Sequence, residues 1–193
     1  MPPRLFSPQD YGPELAALLA EPRLAPLDAG TPNPAVRARL AALTPETAFA
    51  PHAVVDPDMA RSCLAGVWLY HDFLDESHAI SQEIDTPTGS YWHGLLHRRE
   101  PDFANAKYWF QRVGEHPVFE PLRLAAAELA GAGAAHASAM FLTRQAAWDP
   151  FAFVDLCEAC LNRSSACGEL CQKIQQKEWE LLFDHCYRQA IAV

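Results

Sequence analysis

Three residues in the middle of the chain have types and spacing suited to chemistry: His93, His97 and Glu100. An α-helix turns about 100° per residue, so positions i, i+4 and i+7 fall within a sector of about 60°. Two imidazoles and a carboxylate therefore share one face. Helical bundles project these same groups inward to hold zinc, iron or manganese, so the stripe reads as a donor set for a divalent metal. His71, Asp75 and His78, upstream on the preceding helix pattern, supply further ligands or groups that orient the first three. The spacing is neither HExxH nor the paired ExxH of a di-iron bundle. It names a metal site and no reaction: neither hydrolysis nor oxidation is singled out, and no residue is assigned as catalytic.

Two other readings compete with the metal. In one, the histidines hydrogen-bond carboxylates and tyrosines as a buried structural network within a non-enzymatic protein-interaction module. In the other, Arg98, Lys107 and Arg112, with Tyr91, Trp92 and Trp109 as walls, line a small-molecule or anion pocket near the Gly89-Ser90 helix start. A helix N-terminus carries free N–H groups and partial positive charge, which suits an anion. Against that pocket, Arg98 and Arg99 stand two turns from the terminus and, beside Glu100 and Asp102, suit surface ion pairs.

The cysteines form a second cluster, Cys157-x2-Cys160 and Cys167-x3-Cys171. Four thiolates would suit zinc, but structural zinc sites usually mount their pairs on turns, and both pairs here read as helical. Their expected role is that of small buried apolar residues, and with Cys63 and Cys186 they are expected to be reduced. There is no GxSxG, no GxxxxGK[ST] and no GxGxxG, so hydrolase and nucleotide-enzyme readings lose their usual support.

Helices must position these groups. A long helical pattern runs from Asp56 to Ile84, with Leu64, Val67, His71, Leu74, His78 and Ser81 as its seam. At IDTPTGS, Pro87 and Gly89 break the helix and Ser90 caps the next one, which spans 90 to 100. So short a link predicts an antiparallel hairpin, in which His71 and His78 face His93, His97 and Glu100. Asp102 caps a third helix that Gly114 stops, and Phe103, Ala106, Phe110 and Val113 form its packing face. Beyond it, EPLRLAAAELA is a strong helix former, and GAGAAHASA is either a flexible link or a close crossing. Asp149-Pro150 starts another helix, and Ser164 or Ser165 caps the last, whose inner face holds Leu170, Ile174, Trp179, Leu182, Phe183 and Cys186.

The result is one all-α domain over 1–193, a helical bundle of about seven to eight helices around that hairpin. Residues 1–50, rich in proline, form a peripheral arm with short helices at Pro8–Leu19 and Pro34–Leu43; residues 56–190 form the helical core. A chain of 193 residues can bury one sizeable core. Its net charge of −9 has the wrong sign for sequence-independent binding of nucleic acid. No apolar run approaches the roughly 20 residues that span a bilayer, and the start lacks an export signal, so a cytoplasmic protein with no membrane association is expected. The aromatic content allows a homodimer.

The stretches YWHGLLHRREPDFANAKYWFQRVGEHP, WDPFAFVDLCEAC and EWELLFDHCY resemble a group of uncharacterised bacterial all-α proteins. The resemblance spans Cys63 to Tyr187 and implies a fold, with no activity to carry over.

Overall fold

The computed structural model describes residues 6–132, 137–161 and 166–192. In chain order these form α1 (Pro13–Leu18), α2 (Arg37–Ala41), α3 (Pro45–Phe49), α4 (Pro57–Tyr70), α5 (Leu74–Ser81), α6 (Pro87–Arg99), α7 (Phe103–Val113), α8 (Phe119–Ala132), α9 (Pro150–Leu161) and α10 (Ala166–Ile191). Short 3-10 turns occupy Pro8–Asp10, Pro34–Val36 and Ala137–Thr143. The described residues contain no strand, and their helices are shorter and more numerous than the seven to eight expected. None is long and apolar enough to cross a membrane.

Proline accounts for many of the boundaries. Its fixed φ and missing N–H cost nothing in a first helical turn, and Pro13, Pro45, Pro57, Pro87 and Pro150 each open a helix. Thr44, Asp56, Thr86 and Asp149 stand before four of them, and each accepts hydrogen bonds from backbone N–H groups of the first turn. Thr86 is therefore the cap of α6, which starts at Pro87; the break and cap expected at Pro87, Gly89 and Ser90 fall inside that helix. Asp102 and Gly114 bound α7 as the sequence indicates, with Gly114 at φ 63°. The expected cap at Ser164 or Ser165 lies outside the described residues.

The helix expected over 57–84 is two helices. α4 ends in a Schellman turn: Phe73 N–H donates to the Trp68 carbonyl (3.0 Å) and Asp72 N–H to the Leu69 carbonyl (3.1 Å). The Trp68 and Phe73 rings, 5.2 Å apart and perpendicular, supply the apolar contact that accompanies this motif. The residue that must turn left-handed is Asp72, at φ 62°. Its carboxylate is clamped by Arg23 and Arg99, each at 2.7 Å.

α6 is the centre of the molecule. Every residue from Thr88 to Arg99 is buried, although the sequence of the helix is half polar. α4 and α5 pack on it from one side and α7 from another. Small residues allow the close crossings: a methyl group on Gly66 would lie 2.6 Å from the Trp92 ring, and one on Gly94 would lie 3.1 Å from Phe110. α10 runs alongside α4, α8 and α9, with Ile174, Trp179, Leu182, Phe183 and Cys186 buried along its inner face.

The N-terminal segment, read as a peripheral arm, contributes to the same apolar cluster. Leu15, Leu18, Leu19, Leu40 and Phe49 are buried in it, and the Tyr11 hydroxyl donates to Asp184 on α10. The intervening loop wraps the ends of α4 and α6. Arg23 Nε donates to the Tyr70 carbonyl, the Tyr70 hydroxyl to the Glu21 carbonyl, and Arg99 to the carbonyls of Asp28 and Ala29.

Candidate metal centre

The turn at Asp72 decides which histidines meet. By redirecting the chain into α5, it sets His78 against His93 and His97 on α6. The three ring centroids are 4.5 Å (His78–His93), 4.7 Å (His93–His97) and 5.4 Å (His78–His97) apart. One ligand nitrogen from each ring lies within 4.8 Å of the other two. His93 and His97 are buried and His78 is half-buried, so the cluster is enclosed on the α6 side and reachable on the α5 side.

Neighbours hold the rings in place. Trp109 of α7 stacks on His93 at 3.9 Å and 11°, and the Arg112 guanidinium lies 5.3 Å from the same indole. Glu100, just past the end of α6, is 2.8 Å from His97 Nδ1. A carboxylate only accepts, so Nδ1 carries the proton and Nε2 keeps its lone pair. The Asn105 amide donates to Nε2 at 3.1 Å. Nδ1 of His93 is buried with no hydrogen-bond partner.

These surroundings favour neutral rings. Burial, reinforced by His97 and His78, lowers the pKa of His93 to about 3. Burial also lowers that of His97, although Glu100 pulls the other way. Neutral imidazole is the form that ligates a metal.

Of the other residues expected at the metal, His71 and Asp75 lie elsewhere. His71 caps α4, and its Nε2 contacts the Leu18 carbonyl at 3.0 Å. Asp75 sits in the first turn of α5, exposed. Glu100 touches the cluster through His97 alone among the three histidines.

The residues of the expected ligand pocket disperse. Arg98 is fully buried and pairs with Glu178 at 2.5 Å, to which the Tyr91 hydroxyl also donates. Arg98 and Arg99 are thus core residues and not the surface ion pairs expected, because Glu178 and Asp72 reach them from α10 and the α4–α5 turn. Trp92 Nε1 points at Cys186 Sγ (3.4 Å). Lys107 pairs with Asp155, and Arg112 with Asp85 at 3.2 Å. A surface groove of about 460 Å³ does exist, lined by Phe110, His116, Phe119, Trp148 and Phe151 among others, but none of those six residues borders it.

The chain has no significant match among protein-family models, curated proteins or solved structures.

The cysteine cluster weighed from the sequence does converge. Cys160 and Cys167 are joined in a disulfide, against the expectation of reduced thiols, and Cys171 Sγ lies within 4.8 Å of both sulfurs. The Cys157 thiol is hydrogen-bonded to Cys171, a contact that holds the Cys171 pKa below the ordinary thiol value against the effect of burial, with Arg98 acting in the same direction. Reading both pairs as helical was right. The missing information was that the end of α9 and the start of α10 bring them face to face.

Proposed function

We propose that this protein binds a divalent transition-metal ion through His78, His93 and His97. The observation that carries this reading is the convergence of three imidazole nitrogens within 4.8 Å on two different helices. Around a tetrahedral ion with metal–nitrogen bonds of about 2.0 Å, neighbouring nitrogens stand about 3.3 Å apart. Reaching that separation requires the rings to rotate inward from their stacked arrangement. The unpartnered Nδ1 of His93 is a buried atom that an ion would satisfy. Glu100 does for His97 what carboxylates commonly do for metal-bound histidines: it fixes the tautomer and leaves the other nitrogen free to ligate. Asn105 then gives up its hydrogen bond to Nε2.

A donor set of imidazoles suits zinc, iron, copper or nickel and disfavours magnesium and calcium. Three protein ligands leave a fourth position for water, and the half-buried His78 marks the side from which solvent or a small substrate would approach. Activation of that water is the chemistry such a centre supplies.

The test is elemental analysis of protein purified without chelator or immobilised metal, beside a His93→Ala, His97→Ala variant. The expected result is one metal equivalent fewer in the variant, and a matching loss of zinc uptake on titration. Equal metal content and equal zinc uptake in the two proteins would overturn the proposal.

A further inference from the structure

We propose that Cys157, Cys160, Cys167 and Cys171 form a second, separate metal site: a tetrathiolate centre for one soft divalent ion such as zinc, assembled when the Cys160–Cys167 disulfide is reduced. The sulfurs of Cys160, Cys167 and Cys171 lie within 4.8 Å of one another, and Cys157 is hydrogen-bonded to Cys171. Zinc–sulfur bonds of about 2.3 Å set tetrahedral sulfurs about 3.8 Å apart, a spacing within reach of Cys160, Cys167 and Cys171 once the disulfide opens, with Cys157, the neighbour of Cys171, turning in as the fourth ligand. The pairs are mounted at i, i+3 on the last turns of α9 and at i, i+4 on the first turns of α10. Each helix thus presents both its sulfurs on one face. All four side chains are at most 4 % exposed, the closed environment of a structural site.

A zinc ion with four thiolates keeps two negative charges, which hydrogen-bond donors must stabilise in so dry a place. Arg98, its own charge already paired with Glu178, supplies such donors. Its guanidinium lies 4.8 Å over Phe153, one turn before Cys157 on α9. It gives one nitrogen to Glu178, and its Nε and Nη1 are buried without partners. Those two donors are free to hydrogen-bond thiolate sulfur.

The interconversion balances as an ordinary thiol exchange. A dithiol reductant supplies two electrons and two protons to the Cys160–Cys167 bond and leaves as its own disulfide, giving two thiols. The four thiols then release their protons as the metal binds. Disulfide and metal are thereby alternative staples for the same α9–α10 junction.

The probe is Co²⁺ added to the fully reduced chain carrying His93→Ala and His97→Ala, which keeps this site distinct from the imidazole cluster. One equivalent should produce the near-ultraviolet sulfur-to-cobalt charge-transfer band and the intense visible bands of tetrahedral cobalt. Zinc should abolish them. The bands should disappear in Cys157→Ser and Cys171→Ser variants, persist in Cys63→Ala, and be absent when the disulfide is intact. Should the serine variants fail to fold, X-ray absorption on the zinc-loaded His-substituted chain decides, with an all-sulfur shell at about 2.3 Å expected. Absence of a thiolate band from the reduced protein, or a zinc shell of nitrogen and oxygen, would overturn the proposal.

Discussion

Asp72 carries both a backbone and an electrostatic burden, and two substitutions separate them. At φ 62° it occupies the left-handed region, where a side chain with a Cβ costs roughly 1–2 kcal/mol relative to glycine. Glycine's larger freedom in the unfolded chain returns part of this, so a net advantage of about 0.5–1 kcal/mol is expected for glycine over alanine here. The carboxylate neutralises Arg99, which is 3 % exposed, and Arg23, which is 24 % exposed. Leaving a buried charge without its partner costs about 3–5 kcal/mol. Arg99 keeps hydrogen bonds to the carbonyls of Asp28 and Ala29, and Arg23 reaches water, so the lower end applies. Asp72→Ala should therefore lose about 3 kcal/mol and Asp72→Gly, relieved of the Cβ, about 2–2.5 kcal/mol, a large share of the 5–15 kcal/mol typical of a domain. Urea unfolding followed by circular dichroism measures both, provided that the denaturant slope stays constant. An alanine variant as stable as the glycine variant would refute the backbone reasoning. Losses below about 1 kcal/mol in both would refute the electrostatic part.

Two further perturbations bear on the buried polar groups. His116 accepts the Val118 N–H at Nδ1 and contacts Thr88 Oγ1 through Nε2, and burial, with His185 beside it, lowers its pKa from 6.5 to about 4. Above pH 6.5 folded and unfolded imidazoles are both neutral; between 6.5 and about 4 only the unfolded one takes the proton, so acid removes up to about 3 kcal/mol of stability in that window. His116→Gln should flatten the stability–pH profile there, and a profile superimposable on that of the parent would contradict the assignment. In the core, Glu178→Leu should cost about 3–5 kcal/mol by stranding Arg98, while Arg98→Met combined with Glu178→Leu should recover most of it. Additive losses in that double-mutant cycle would mean that the pair is not coupled.

Helix type and order were legible because apolar periodicity, proline starts and caps at Asp102 and Asp149 are local signals. The break at Asp72 was not, since a Schellman turn is usually announced by glycine and here uses an acid. The signal present was the Trp68/Phe73 pair, five residues apart, with a turn-tolerant Asp before the second aromatic. That single turn explains why His78 and not His71 joins the α6 histidines. His93 and His97 were recoverable from spacing alone, because i, i+4 fixes a shared face whatever the tertiary context. Trp109 as the stacking partner of His93 and Asn105 as the donor to His97 depend on the α6–α7 crossing, which spacing does not specify.

The burial of α6 was the least legible feature, because its polar residues look like a solvated face until their partners are known. Glu178 reaches Arg98 and Tyr91 from 80 and 87 residues away, Asp72 reaches Arg99 from 27, and His116 reaches Thr88 from 28. A wholly buried helix needs each polar side chain matched, since an unmatched buried group costs about 1–3 kcal/mol. On α6 the buried side-chain nitrogens without a partner are His93 Nδ1 and Arg98 Nε and Nη1. They occur where the helix meets the two proposed sites: His93 inside the imidazole cluster and Arg98 near Cys157 and Cys171. Satisfying a metal-bound imidazole in one case and a thiolate centre in the other would complete the hydrogen bonding of the helix on which the fold is built.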